Sequence, residues 1–129
     1  MKKYSFSKQE RICNRNDFQK LLSDGQSLFC YPFRCMYSWN ETTSFSARIA
    51  VSVSKRRIRK AVDRNRIKRL IRESYRLEKE ILYQKHNNTA QSMDMLIIYA
   101  ETKIFSFYFI RKKIIELINR LIEQGDIKK

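Results

Sequence analysis

The chain has 129 residues, of which 43% are hydrophobic and 12% aromatic, so it can form one domain with one core and is not disordered throughout. Two glycines and one proline are too few for a turn-rich all-β protein. The net charge of +15 favours a polyanionic partner, which is either a nucleic acid or an anionic membrane surface.

The N-terminal part predicts one helix and one aromatic-rich strand. The helix is expected between a cap at Asn16 or Asp17 and a closing glycine at Gly25. Residues 27–39 follow as a single strand, in which Pro32 indicates an edge strand or a bulge. At period two, one face of this strand carries Phe29, Tyr31, Phe33, Cys35 and Tyr37.

The remaining elements alternate between strand and helix. Residues 46–53 form a second strand, antiparallel to the first because the connection is short. A long helix without Gly or Pro is predicted from residue 61 to about residue 85, and the continuous apolar run at 95–100 predicts a central strand. Helical spacing over 106–124 predicts a last helix, which Gly125 ends. The order helix, strand, strand, helix, strand, helix indicates a small α+β sandwich in one domain.

The positive charge is concentrated between Lys55 and Arg76, where eleven Lys or Arg and two acids give a net charge of +9 in 22 residues. On a helical wheel at roughly 100° per residue, this part of the long helix has an apolar face and an opposite cationic face, with Arg64 and Arg66 at the borders. The apolar face carries Ile67, Leu70, Ile71, Leu77 and Ile81. The cationic face carries Asn65, Lys68, Arg69, Arg72, Arg76 and Lys79.

This cationic face has three possible interpretations. A solvated face with i,i+4 ion pairs fits poorly, because Glu73 is the single acid between Arg64 and Arg76. A membrane-surface helix needs a free apolar face, but here that face is needed to cover the sheet. Guanidinium groups bind phosphate oxygens as a fork, and Asn65 can contact a base edge or a 2′-hydroxyl, or hold a neighbouring Arg. An RNA-binding surface is therefore expected.

The sequence predicts no catalytic centre and no metal site in the protein. Cys13, Cys30 and Cys35 form no C-x-x-C pair, and the single histidine, His86, falls in a polar loop. Free thiols are typical of the reducing cytosol. No signal peptide and no run of about eighteen apolar residues is recognised, so a cytoplasmic chain is expected.

The stretch RNRIKRLIRE, residues 64–73, resembles the signature of the bacterial ribonuclease P protein subunit. Residues 51–56, a strand followed by a basic turn, are similar to the segment that precedes the signature in that family. Residues 11–25 and 94–98 resemble the family's first helix and last strand, so the resemblance covers most of the chain.

The resemblance implies a mixed four-stranded sheet with three helices, in the order α-β-β-(β)-α-β-α. It also implies a left-handed crossover through the long basic helix, against the usual preference. The fourth strand is expected as a short piece beside one of the other three. Residues 1–129 would form a single RNA-binding domain with short flexible termini at about 1–6 and 125–129.

The implied function is endonucleolytic removal of the 5′ leader from precursor tRNA. In the family, the RNA subunit performs the hydrolysis with Mg²⁺ that it holds itself, and the protein carries no catalytic centre. The protein binds this RNA through the signature helix and the preceding connector, and it holds the leader in a cleft between the first helix and the sheet. The chain is expected to be monomeric outside the holoenzyme. The alternative is a non-catalytic structural RNA-binding protein of the ribosomal type, which needs the basic surface but no aromatic cleft.

The site residues follow from this resemblance. The surface for the RNA subunit comprises Lys55, Arg56, Arg57, Arg59, Arg64, Asn65, Arg66, Lys68, Arg69, Arg72 and Arg76. The leader-binding cleft comprises Phe18, Tyr31, Phe33 and Tyr37. Phe33 and Phe29 fit a core position equally well. The chain departs from the family at Leu22, where a second aromatic is expected, and at Arg59, near which many members carry glycine.

Overall fold

Three helices and four strands follow one another in the computed structural model, which describes residues 15–41, 46–86 and 91–127. In chain order they are α1 (Arg15–Asp24), β1 (Gln26–Cys30), β2 (Phe33–Glu41), β3 (Ser46–Val53), α2 (Ala61–His86), β4 (Gln91–Tyr99) and α3 (Phe107–Ile127). The expected α+β class, with three helices and one mixed four-stranded sheet, is confirmed. Cys13, the expected flexible end at 1–6 and the last two residues of the expected flexible end at 125–129 lie outside the described residues, whereas residues 125–127 belong to α3.

The aromatic-rich segment at 27–39 is a hairpin, so its prediction as a single strand is wrong. The chain reverses at Tyr31 and Pro32, which are joined by a cis peptide bond, and Cys30 pairs with Phe33 across the turn. β1 is therefore the short fourth strand that the resemblance implied. Residues that are paired across two neighbouring strands point to the same face of the sheet. The side chains before the turn therefore lie on the opposite face from the one that a single continuous strand predicts. Phe33 consequently shares its face with Cys30, and Phe29 lies on the other face of the sheet.

The sheet has the strand order β1-β2-β4-β3. β2 pairs antiparallel with β1 and β4, whereas β3 pairs parallel with β4. The predicted central position of β4 is confirmed, since every side chain from Met93 to Ile97 is buried. β3 runs antiparallel to β2 as expected, but β4 lies between them because a strand buried on both faces occupies the middle of a sheet. α2 connects β3 to β4, and the left-handed sense of this crossover stays a prediction.

The two faces of the sheet are covered unequally. α2 and α3 pack against one face and enclose the main core with Phe33, Cys35 and Tyr37. α1 packs on the opposite face against β2 and β4, where Leu21 and Leu96 are buried apart from the main core. Other side chains of that second face stay partly or fully exposed among the described residues, namely Arg34, Met36, Ser38, Ala50, Ser52 and Ile98. A cleft beside α1 is therefore open to a partner.

The helix ends follow the predictions closely, with two exceptions. α1 ends as expected at Gly25, whose N–H donates to the Leu21 carbonyl at 2.9 Å and where a Cβ would lie 2.4 Å from that oxygen. α1 begins at Arg15, so the predicted caps at Asn16 and Asp17 lie inside its first turn. α3 continues through Gly125 to Ile127, beyond its predicted end. No helix within the described ranges is long and apolar enough to cross a membrane.

Candidate nucleic-acid interface

The solvent-facing side of α2 forms a continuous cationic surface. Asn65, Arg66, Arg69 and Arg72 are exposed, and Lys68 and Arg76 lie half-buried at its borders. The helix runs for 26 residues without Gly or Pro, and Asp63 in its first turn complements the helix dipole. These side chains therefore project from a rigid element, with their spacing fixed before any partner binds.

The buried side of α2 is rotated by roughly 60° from the predicted apolar face. Ile67 and Ile71 are buried as expected, but so are Tyr75 and Leu82, because α2 packs against α3 as well as against β3. The prediction that Lys79 belongs to the cationic face is wrong. Lys79 is only 4% exposed, and its Nζ lies 5.8 Å from the centre of the Tyr83 ring. The predicted apolar face left out Tyr75 and Leu82 and was therefore centred to one side of the buried face.

The connector between β3 and α2, residues 54–60, presents further cations from a defined backbone. Ile58 is buried in the core and its N–H donates to the Ser54 carbonyl at 3.0 Å. The Arg56 N–H donates to Ser54 Oγ at 3.1 Å, and Arg57 Nη1 donates to the Ala100 carbonyl at 3.4 Å. The exposed cations of the connector are Lys55, Arg56, Arg57, Arg59 and Lys60. One apolar anchor thus holds a highly charged turn against the domain.

Arg64, the first residue of the signature, lies against this connector. Its Nη1 donates to the carbonyl oxygens of Ile58 at 2.9 Å and Arg59 at 2.7 Å. The rotated face of α2 explains this position, because Arg64 lies on the side of the helix that faces the domain. Arg64 therefore holds the connector in shape, in addition to contributing charge.

Arg76 makes a different local contact at the other end of the surface. Its Nε donates to Glu73 Oε1 at 3.0 Å, and this hydrogen bond is the main reason why the pKa of Glu73 lies below its usual value. The carboxylate of Glu73 accordingly stays ionised beside Arg76 and offsets part of the positive charge there. The exposed arginines of α2 lie further towards its N-terminus, at Arg66, Arg69 and Arg72.

A second basic site lies in the cleft between α1 and the open face of the sheet. It is lined by Lys20, Leu21, Ser38, Asn40, Arg48 and Asp94. Arg48 and Asp94 form a two-pronged ion pair, Nε to Oδ1 at 2.9 Å and Nη2 to Oδ2 at 2.8 Å. Asp94 is buried and Arg48 is partly exposed, so the pair fixes a guanidinium group on the floor of the cleft.

The structure corrects the expected aromatic lining of this cleft. Phe33 and Tyr37 belong to the main core on the covered face, because the hairpin places them in register with Cys30 and β4, and a fully buried ring offers no surface to a base. Tyr31 is 42% exposed, but it lies at the turn, about 17 Å along β2 from the cleft. Phe18 on α1 stays half-buried and is the one expected aromatic that α1 carries.

Sequence reasoning missed the cations of the cleft. Arg34, Arg48 and Lys20 lie on or beside the open face, although none was assigned to it. The signal was the isolated charge in each strand: Arg34 alternates with Phe33 and Cys35, and Arg48 with Ala47 and Ile49. A single cation at an alternate position of an apolar strand marks the face that remains in contact with water.

The sequence is similar to proteins of one known family. Residues 6–122 match the model of a family described as Ribonuclease P. The ribonuclease P protein component of Porphyromonas gingivalis is 40% identical over 80 residues, 61% of this chain and 58% of the relative, so the match spans less than two thirds of the relative's length. The ribonuclease P protein component of Geotalea uraniireducens is 35% identical over 88 residues, 68% of this chain and 75% of the relative.

Two solved structures are similar over nearly the whole chain. The RNase P protein from Thermotoga maritima superposes with a TM-score of 0.66 at 26% identity, covering 86% of this chain and 96% of that chain. The RNase P protein from Staphylococcus aureus gives a TM-score of 0.61 at 26% identity, covering 87% of this chain and 94% of that chain.

Proposed function

The chain belongs to the ribonuclease P protein family, and from this premise we propose that it is the protein subunit of a ribonuclease P, the ribonucleoprotein that removes the 5′ leader of precursor tRNA. Its direct partners in this proposal are the RNA subunit and the leader of the precursor. The protein is monomeric outside the holoenzyme and acts in the cytoplasm, in keeping with the free thiols of Cys30 and Cys35.

The observation that carries the proposal is the separation of two basic surfaces by the sheet. α2 covers one face and turns its cations outward, whereas the cleft of α1 lies on the opposite face. One side of the domain can therefore contact the RNA subunit while the other holds a substrate strand. A protein that bound a single RNA through its basic helix would have no use for a second cationic cleft.

Binding by the α2 surface and the connector follows from phosphate chemistry. Each arginine that neutralises a phosphate releases condensed counterions, which makes the affinity strongly dependent on salt. The helix and the anchored connector hold their cations at fixed positions, so RNA binding requires little further ordering of the backbone. Asn65, within the row of exposed arginines, can donate and accept a hydrogen bond at a base edge or a 2′-hydroxyl.

The cleft is suited to an unpaired leader of any sequence. Lys20 supplies a cation for the phosphates, and Asp94 fixes the Arg48 guanidinium on the floor of the cleft while offsetting part of its charge. Phe18 and Met36 offer apolar surface to the bases, and stacking of this kind tolerates any base. The protein's contribution is then to orient the leader and raise the affinity for the precursor.

Hydrolysis in this proposal belongs to the RNA subunit and to the Mg²⁺ that it holds. The support is the family resemblance together with the residues of the two surfaces, which are mostly cations, amides and apolar groups and whose carboxylates, Glu73 and Asp94, each pair with an arginine. Within the described ranges, no group of three or more His, Cys, Asp or Glu is placed to hold a metal ion. In the proposal, the side chains of this protein bind and position RNA.

Reconstitution tests the proposed function directly. The purified chain is added to a bacterial ribonuclease P RNA, and cleavage of a precursor tRNA is measured at low Mg²⁺, where the expected result is a large stimulation. The double variant Arg69→Ala, Arg72→Ala should lose most of it, whereas Lys112→Ala, which removes an exposed cation from α3, serves as the matched control. Absence of stimulation by the wild-type chain would refute the proposal.

The alternative function is that of a structural RNA-binding protein, which needs no aromatic cleft. Because Phe33 and Tyr37 are buried, the test has to rest on tRNA binding and on Phe18. A structural RNA-binding protein needs only the α2 surface, and it would bind precursor and mature tRNA complexes equally well. A ribonuclease P subunit should favour the precursor, and Phe18→Ala should reduce this preference. Equal binding of both tRNAs by the wild-type holoenzyme would favour the structural role.

A further inference from the structure

Three aromatic side chains form a continuous row on the surface between the β1–β2 turn and α3. Tyr31 meets Phe105 edge to face with ring centroids 6.1 Å apart, and Phe105 meets Phe109 with centroids 4.3 Å apart. The Nζ of Lys113 lies 5.6 Å from the centroid of Phe109 and ends the row with a cation. These three rings are called the aromatic row below.

The aromatic row is continuous with the basic connector and separate from the α1 cleft. The Ala100 N–H donates to the Pro32 carbonyl at 2.9 Å, and the Ala100 carbonyl accepts from Arg57 Nη1. The turn that carries Tyr31 and the connector that carries Arg57 therefore lie side by side at one end of the sheet. The cleft lies beyond the middle of β2, about 17 Å away.

The aromatic row is accessible, and both cations and acids lie beside it. Tyr31 is 42% exposed, and Phe105 and Phe109 are half-buried. Arg120 lies further along the same side of α3, where its Nη1 donates to the Phe29 carbonyl at 2.8 Å. This bond holds α3 against the edge strand and leaves a positive charge beside the row.

Both acids near the aromatic row are engaged by neighbouring groups. Glu101 accepts from the Tyr31 hydroxyl at 2.5 Å and from the Thr102 N–H at 2.7 Å. Glu116 pairs with Lys113 at 2.9 Å. The hydrogen bond from Tyr31 also fixes the orientation of its ring, so the row is ordered before a ligand arrives.

We propose that the aromatic row is a binding site for unpaired nucleotides of RNA. Bases stack on aromatic rings whatever their identity, and adjoining cations attract the phosphates between them. An RNA duplex offers no free base faces to such a row, so the fit is to a single strand. The continuity with the connector places this strand next to RNA already held by α2, and to that extent the inference rests on the proposed function.

Oligonucleotide binding by the full chain tests the inference. The probe is a fluorescent ten-nucleotide oligouridylate, compared with an RNA duplex of the same length. Tyr31→Leu should weaken binding of the single strand about tenfold, the loss expected for one stacked base, and should leave duplex binding unchanged. Tyr31→Phe keeps the ring but loses the bond to Glu101, and it should retain most of the single-strand affinity that Tyr31→Leu loses. Tyr108→Leu is the matched control, since Tyr108 is 79% exposed on α3 outside the row.

Photocrosslinking gives a second readout that does not depend on stability. With 4-thiouridine in the oligonucleotide, crosslinks are expected at Tyr31, Phe105 or Phe109. Crosslinks confined to α1 and the cleft, together with equal single-strand affinity for Tyr31→Leu and wild type, would overturn the inference and leave the row as a surface for a protein partner. Failure of the proposed function would instead show as absence of stimulation by the wild-type chain, whatever the result at Tyr31.

Discussion

Replacement of Arg64 by alanine separates the two contributions that an arginine can make to RNA binding. The substitution removes two hydrogen bonds from a charged donor to the carbonyl oxygens of Ile58 and Arg59. Buried bonds of this kind contribute about 1.5–3 kcal/mol each, but Arg64 is half-exposed and water competes for its partners. A total of about 1–2 kcal/mol is expected for holding the connector in its binding shape. This corresponds to roughly a 5- to 30-fold loss of affinity for the RNA subunit.

The salt dependence shows whether this loss comes from shape or from charge. Arg69→Ala is the matched variant, because Arg69 is exposed on the same helix and points away from the domain. If Arg69 neutralises one phosphate, its loss should reduce the slope of log K against log salt concentration by about 0.9, measured by fluorescence anisotropy between about 50 and 200 mM salt. Arg64→Ala should weaken binding while changing this slope by less than half as much.

Hydrogen exchange supplies the structural control for the same pair of variants. The Ile58 amide, bonded to the Ser54 carbonyl at 3.0 Å, should lose protection in Arg64→Ala and keep it in Arg69→Ala. Equal reductions of the salt slope in both variants, with Ile58 protection unchanged, would refute the reasoning. Arg64 would then be a phosphate ligand like its neighbours.

Three further predictions concern the core and the turn. Phe33→Ala should lower the free energy of unfolding by about 3–5 kcal/mol in denaturant titrations, because its ring is buried. Phe29 is 54% exposed, so Phe29→Ala should lower the same free energy by less than about 1 kcal/mol. Similar losses in the two variants would contradict the hairpin register. Burial raises the pKa of Cys35 to about 12, so its thiol should resist alkylation at pH 8 until the chain unfolds, and rapid labelling of the native protein would contradict this. The hydrogen bond from Tyr31 is the largest of the contacts that lower the pKa of Glu101 to about 2, so Tyr31→Phe should move it towards 4.5 in a carbon-detected NMR titration. The pKa of Glu101 is lower in the folded than in the unfolded chain, so the stability from this carboxylate is complete above about pH 4.5 and is lost as the pH falls through 2. An unchanged pKa of Glu101 in Tyr31→Phe would assign the shift to the Thr102 contacts.

The order of elements could be predicted because each element has its own periodicity. The long helix from Ala61 and the apolar run of β4 are strong local signals, and both were confirmed. The hairpin at Pro32 escaped prediction because apolar and aromatic residues continue without a polar break on both sides of the turn. Phe33 and Tyr37 were assigned to the cleft together with Tyr31, but they lie on the covered face of the sheet and are buried in its core.

The sequence by itself determined that α2 has one apolar and one cationic side, and which residues carry the family signature. These features repeat within a few residues, and helical periodicity is enough to read them. Only the tertiary structure decided that Arg64 turns to the connector, that Lys79 is buried, and that Tyr31 meets a carboxylate 70 residues away at Glu101. Such contacts depend on how the sheet orders its strands and on which of its faces the helices cover, and neither is encoded in the spacing of neighbouring residues.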